Sequence, residues 1–252
     1  MRVDLNCDMG ESTQLYAYSV EQDLALLPYL SSINLACGYH AGDPHTMHQL
    51  VEAALEKGIA IGVHPSFPDK ENFGRTNMNF SPAQVYDIVV YQTGALQAFL
   101  QVYHARLHHV KAHGALYNMA AKDPALAGAI CQAVKDVDPQ VMIYGLAGSE
   151  LIRQARERGL RAVEEAFADR TYQPDGSLTP RSQPGAMIED ASASMQQVLQ
   201  MLHNGTVCVQ GGQFISIQAD TVCIHGDGKQ ALLFAQTIWE SLKQQHVSIT
   251  PP

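Results

Sequence analysis

The chain has 252 residues, 46% of them hydrophobic and 16% charged, which supplies one sizeable core and excludes a disordered chain. Its formal net charge is −9 and it has no run of Lys or Arg. That excludes nucleic acid and anionic membranes as natural partners, since both need their phosphates neutralised.

No apolar stretch reaches the length of a membrane span, and the first residues lack the basic and apolar regions of a signal peptide. Residues 2–7 read instead as a strand. A cytoplasmic location is expected. The five cysteines are odd in number, scattered and without a C-x-x-C pair, so buried thiols in a reducing compartment are expected rather than disulfides or a zinc knuckle.

A helix is predicted over 21–30, a second strand over 32–37 and a helix around 46–57, with Gly58 in the stop position. Residues 59–63 are apolar throughout, as a strand buried on both faces requires. A polar loop covers 65–79. Ser81-Pro82-Ala83-Gln84 then opens a long helix to about residue 105 with a cap, a first-turn proline and a capping-box glutamine.

The fourth strand is 109–112, and Asp123-Pro124 starts the next helix. A strand at 141–146, a helix at 149–158 and a strand at 160–166 follow. A loop over 169–186 leads to a helix at 190–203. Two short runs, 206–209 and 214–218, flank Gly211-Gly212 as a hairpin. The last strand is 221–225 and the last helix 229–245. Alternating strands and helices mean an α/β fold with a parallel sheet. About seven such units without a linker favour a single β/α barrel over 1–252 rather than two open sheets.

Reactive residues of a parallel barrel gather where its strands end. Asp4, Asn6 and Asp8 are two apart, so the first strand points all three to one face. His40 follows the second strand and His64 the third. Lys111 and His113 come at the fourth, Glu164, Glu165, Asp169 and Arg170 near the sixth, and His225 and Asp227 at the last. A single His is more often a satisfied structural residue than a base or ligand. Four at the same end of one barrel point to a site.

Imidazoles with carboxylates support acid–base chemistry at neutral pH or a metal. Asp8, His40 and His113 could supply the three ligands of a catalytic zinc. They come from separate strands without a local spacing motif, so the sequence leaves the metal undecided. His45 and His48 share one helix face and read better as solvated. Asp8, His40, His64, His113 and Asp227 are the candidate catalytic residues. Asn6, Lys111, Arg75, Arg170 and His225 are the candidates for holding substrate.

Two glycine turns precede helices, Gly145-Leu-Ala-Gly148 and Gly226-Asp-Gly228-Lys-Gln-Ala231. The second is a loose G-x-G-x-x-A, but no strand and acidic residue follow, so a dinucleotide site is rejected and only anion holding by a helix start stays open. There is no Walker A loop. ATP, if used, is not bound here by a phosphate loop of the chain's own.

Several stretches resemble a known family: Asp4-Leu-Asn-Cys-Asp-Met-Gly-Glu11, Asn34-Leu-Ala-Cys-Gly-Tyr-His-Ala-Gly-Asp43, Gly62-Val-His-Pro-Ser-Phe-Pro-Asp69, Val110-Lys-Ala-His-Gly-Ala-Leu-Tyr-Asn118, Phe167-Ala-Asp-Arg-Thr-Tyr172 and Cys223-Ile-His-Gly-Asp227. In this order they are similar to the LamB/YcsF family, the A subunits of prokaryotic ATP-dependent 5-oxoprolinases. The resemblance implies a seven-stranded β/α barrel like that of NodB-type deacetylases. It implies hydrolysis of 5-oxo-L-proline to L-glutamate, coupled to ATP hydrolysis, with partner subunits B and C. Ala112 departs from the proline usual in that family's Lys-Pro-His-Gly. The rival expectations are a metal-dependent deacetylase acting alone and a non-catalytic regulatory subunit.

Overall fold

The computed structural model describes residues 1–13, 18–226 and 230–252. β1 (Arg2–Met9) leads through α1 (Val20–Leu26) to β2 (Ser32–Ala36), and α2 (Pro44–Glu56) leads to β3 (Ala60–His64). α3 (Pro82–Val102) precedes β4 (His109–Lys111). α4 (Gly114–Ala120) and α5 (Pro124–Val137) precede β5 (Met142–Leu146), and α6 (Glu150–Glu157) precedes β6 (Ala162–Phe167). After α7 (Ala191–Asn204) come β7 (Thr206–Cys208), β8 (Phe214–Ser216), β9 (Thr221–His225), α8 (Ala231–Gln244) and β10 (Ser248–Ile249).

Seven parallel strands close into a barrel in the order β1-β2-β3-β4-β5-β6-β9, with β9 pairing back onto β1. This is the seven-stranded β/α barrel expected from the sequence. β10 extends the start of β1, pairing Arg2 with Ser248. β7 and β8 form the predicted antiparallel hairpin.

Local chemistry explains the departures. The helix predicted over 21–30 stops at Leu26 and gives way to a 3-10 turn, Leu27–Tyr29, because Pro28 has no N–H to continue the helical hydrogen bonds. α2 starts earlier than predicted, because Asp43 caps it and Pro44 takes its first turn. α4 was not foreseen, since Gly114 reads as a break, and β10 is too short to register. Of the five cysteines four are buried as expected, but Cys208 is exposed. No described helix is long and apolar enough to cross a membrane.

Alternation along β1 sends Leu5, Cys7 and Met9 into the helix layer and Asp4, Asn6 and Asp8 into the barrel. The interior is therefore polar, and every layer is hydrogen-bonded. Asp4 accepts from the hydroxyls of Ser31 (2.5 Å), Ser32 (2.7 Å), Thr221 (2.6 Å) and Tyr144 (3.0 Å). Above it, Asn34 Nδ2 donates to Asn6 Oδ1 and Asp8 Oδ1, each at 2.8 Å, and Asn34 Oδ1 accepts from His109 Nε2 at 2.6 Å. His109 needs Gly62 beside it: a Cβ there would lie 2.2 Å from Nε2 of the imidazole.

Candidate active site

Asp8 ends the inward row of β1 and meets Lys111 from the end of β4. Lys111 Nζ donates to Asp8 Oδ1 at 2.7 Å, approaches Glu165 Oε1 on β6 at 3.0 Å and reaches Cys223 Sγ at 3.1 Å. Burial pushes Asp8 up, but His64 and Lys111 outweigh it and hold the carboxyl well below the usual range. Burial likewise opposes the charge on Lys111, yet Asp8, Cys223 and Glu165 raise it well above normal. Both groups are thus charged at neutral pH. Glu165 is fixed by Asn6 Nδ2 at 3.0 Å and by the Tyr117 hydroxyl from α4 at 2.8 Å.

Beside this pair stand Glu11, His40, His64 and His113, all buried, each offering one atom within 4.8 Å of the others. Such a set can hold a metal ion or pass a proton. His64 Nε2 is 3.3 Å from Asp8 Oδ2 and 2.9 Å from His113 Nδ1. Glu11 Oε1 is 3.0 Å from His40 Nε2, 3.3 Å from His113 Nδ1 and 3.8 Å from His64 Nε2. The His40 and His113 rings stack at 3.8 Å. Burial and the neighbouring imidazoles lower both His40 and His113 well below their ordinary values.

The loop after β3 shapes this cluster. Asp69 gathers it, its carboxylate accepting from Asn72 Nδ2 (2.9 Å) and the Thr76 amide (3.0 Å), and its carbonyl accepting from the Gly74 amide (2.7 Å). The chain then turns at Phe73 and Gly74, both at positive φ (56° and 66°). The Phe73 carbonyl lies 2.8 Å from His113 Nε2, and the Gly74 carbonyl accepts from the Ala115 amide at 2.8 Å.

Above the cluster opens a cavity of about 960 Å³ lined by Asp8, Glu11, His64, His113, Arg75, Arg170, Arg181, Lys122 and His225, among others. Its lining mixes these cations with the carboxylates of Asp123 and Asp175. His225 Nδ1 donates to Asp169 at 2.8 Å, and its ring stacks on Phe167 at 5.5 Å.

Of the candidates read from the sequence, Asp8, His64, Lys111, His113, Arg75, Arg170 and His225 line this cavity. His40 stands behind His113, and Asn6 lies one layer below, inside the barrel. Arg170 is buried and donates to the carbonyls of Thr179 (2.6 Å) and Ala186 (3.4 Å). Asp227 lies outside the described residues, as do Gly228 and Lys229 of the second glycine turn. In the first turn the Gly148 amide is taken by Glu164 Oε2 at 2.6 Å, not left for an anion. His45 and His48 are exposed on α2, as read. Glu11, Glu165 and Asp169 were not among the candidates. Their one signal was position: Glu11 falls three residues after Asp8, and Glu165 and Asp169 at the end of a predicted strand.

These features define a β/α-barrel protein with a carboxylate–imidazole site at the C-terminal ends of its strands. The LamB/YcsF family model matches residues 3–252, and the chain belongs to that family. It is 57% identical over 247 residues to the 5-oxoprolinase A subunit of Bordetella pertussis, covering 98% of this chain and 97% of that one. It superposes on the crystal structure of a lactam utilization protein from Thermus thermophilus with a TM-score of 0.91, at 43% identity and 99% coverage of both chains. The catalytic domain of a peptidoglycan N-acetylglucosamine deacetylase from Eubacterium rectale shares the fold (TM-score 0.50, 12% identity, 99% of this chain and 87% of that one).

Proposed function

We propose that this chain is the A subunit of an ATP-dependent 5-oxoprolinase, which opens 5-oxo-L-proline to L-glutamate together with B and C subunits in the cytoplasm. The names of its near-full-length relatives support the reading, and so does the chemistry of the cavity. The observation that carries it is one cavity bordered by an ionised Asp8 and by His225 held on Asp169.

An unstrained lactam is a poor electrophile, and phosphorylation of its oxygen by ATP makes the carbon open to water. This chain has no phosphate loop, so the partner subunits handle ATP. Asp8 takes the proton of the attacking water; Lys111, engaged by Asp8 and Glu165, keeps it ionised. The tetrahedral adduct can then expel phosphate, which returns the lactam, or the ring nitrogen, which opens the ring. A proton delivered to nitrogen by His225 selects ring opening and leaves an acyl phosphate, which a second water converts to glutamate and phosphate. Arg75 and Arg170 hold the carboxylate or the phosphoryl group.

The test is reconstitution with B and C subunits, following glutamate and ATP together. Wild-type chain is expected to yield glutamate from 5-oxoproline only with ATP. Absence of glutamate, or undiminished turnover with Asp8→Asn, sinks the reading.

A further inference from the structure

The tautomers of His64 and His113 are fixed by their surroundings. His64 Nδ1 lies 2.8 Å from the Lys111 carbonyl, and His113 Nε2 lies 2.8 Å from the Phe73 carbonyl. A carbonyl only accepts, so each of those nitrogens carries the hydrogen. In the neutral rings the lone pairs therefore sit on His64 Nε2 and His113 Nδ1. These two atoms face each other at 2.9 Å, with Glu11 Oε1 at 3.8 Å from one and 3.3 Å from the other. Two imidazole lone pairs and a carboxylate oxygen thus point at one another, and His40 Nε2 stands 3.0 Å from the same Glu11 oxygen. The other nitrogen of His40, Nδ1, is buried and has no hydrogen-bond partner among the described residues.

Converging lone pairs repel unless a cation lies among them. A proton could bridge two of these atoms; a metal ion can take all four. We propose that Glu11, His40, His64 and His113 bind a divalent first-row metal ion of the zinc class. Nitrogen and oxygen ligands at about 2.0–2.1 Å in a tetrahedron stand roughly 3.3 Å from one another. The measured separations of 2.9, 3.0, 3.3 and 3.8 Å bracket that edge. Three imidazoles and one carboxylate suit zinc, cobalt, nickel or iron better than magnesium or calcium, which prefer all-oxygen sites.

The surroundings fit the same reading. Ligating histidines characteristically donate their second nitrogen to a carbonyl or carboxylate, as His64 and His113 do here. One of those carbonyls belongs to Phe73, a bulky residue at φ 56°, a conformation that costs on its own and that persists where the surroundings fix it. The four ligands come from the ends of four successive strands, β1 to β4, which explains why no local spacing motif announces them.

The inference does not rest on the 5-oxoprolinase reading, and its test need not measure turnover. The full chain is stripped with a chelator and titrated with Zn²⁺ by calorimetry, with metal analysis after gel filtration, and with Co²⁺ by visible absorption. The expected result is one equivalent per chain and a Co²⁺ spectrum of a tetrahedral nitrogen–oxygen site. His64→Gln and His113→Gln, checked for folding by circular dichroism, are expected to lose about 100-fold or more in affinity. Failure of the wild-type chain to take up Zn²⁺ or Co²⁺ at micromolar concentration overturns the proposal, as does unchanged affinity in both folded variants. A chain that takes up no Zn²⁺ or Co²⁺ while its complex turns over 5-oxoproline removes the metal and spares the proposed function. A metal-loaded chain that supports no turnover with B and C subunits does the reverse.

Discussion

Lys111 and Asp8 form an ion pair of 2.7 Å inside the barrel, with side chains only 2% and 8% exposed, and Glu165 closes on the same ammonium. Removing one partner of such a group strands the other charge in a low-dielectric interior. Lys111→Met is expected to cost about 3–5 kcal/mol in urea unfolding. A loss under about 1 kcal/mol would show that the pair is not the buried unit described here.

Asp8→Asn keeps the side chain's shape and an oxygen for Asn34 and Lys111 but abolishes the base. The reconstituted complex is expected to lose about 10²- to 10⁴-fold in kcat. A loss confined to KM would assign Asp8 to binding instead.

His225→Ala and Asp169→Asn separate ring opening from ATP use. Without a proton for the ring nitrogen, the adduct expels phosphate and regenerates the lactam. Both variants are expected to hydrolyse ATP with little glutamate formed. A glutamate-to-phosphate ratio equal to wild type in both refutes the role of His225.

Asp43 gives a pH dependence with a definite sign. Burial would raise its pKa, but hydrogen bonds from the Thr46 amide and hydroxyl, the Ser12 hydroxyl and the His45 amide win and bring it down to about 2. A depressed carboxylate stabilises the fold above its unfolded pKa of about 3.9, and that stabilisation drains away as pH falls towards 2. Solvent screening of this partly exposed group keeps its size to at most about 1 kcal/mol. Wild type should therefore lose more stability between pH 4 and 2 than Asp43→Asn does, measured as the difference in urea midpoints. Parallel curves for the two proteins contradict this.

Gly74 is held at φ 66°, and a Cβ there would meet Ser66 Oγ at 2.3 Å and His113 and His40 atoms at 2.8 Å. Gly74→Ala is expected to cost more than about 1 kcal/mol and to displace both imidazoles. Thermal melts and histidine NMR signals check the two effects separately.

The barrel was legible because strand-like runs alternate with helical ones, several of which bring their own punctuation, such as Ser81-Pro82 and Asp123-Pro124. The inward row Asp4, Asn6, Asp8 was legible from strand periodicity alone. Glu11 was not, because it lies past the end of β1 and meets His113 only once the barrel closes. Asn34 and His109 were invisible for a similar reason: mid-strand polar residues announce a partner without naming it. Arg170 is legible as a cation, but its bonds to the Thr179 and Ala186 carbonyls depend on the path of an irregular loop. α4 was missed because Gly114, a helix breaker in isolation, sits at positive φ where the chain turns into the helix.

β1 touches three strands, β2, β9 and β10, and two of these are the last strands of the described chain. Asp8 and Glu11 thus lie on or beside a strand two of whose three neighbours emerge from the ribosome long after it does. Until β9 docks, β1 and β6 each present an open edge, and the buried carboxylates have no frame. Closure across that sequence distance is slow, since it must overcome the loss of chain freedom before any pairing offsets it. Until residues 221–225 have been made, the reactive end therefore stays unassembled, and strand edges left open in that interval are where aggregation starts.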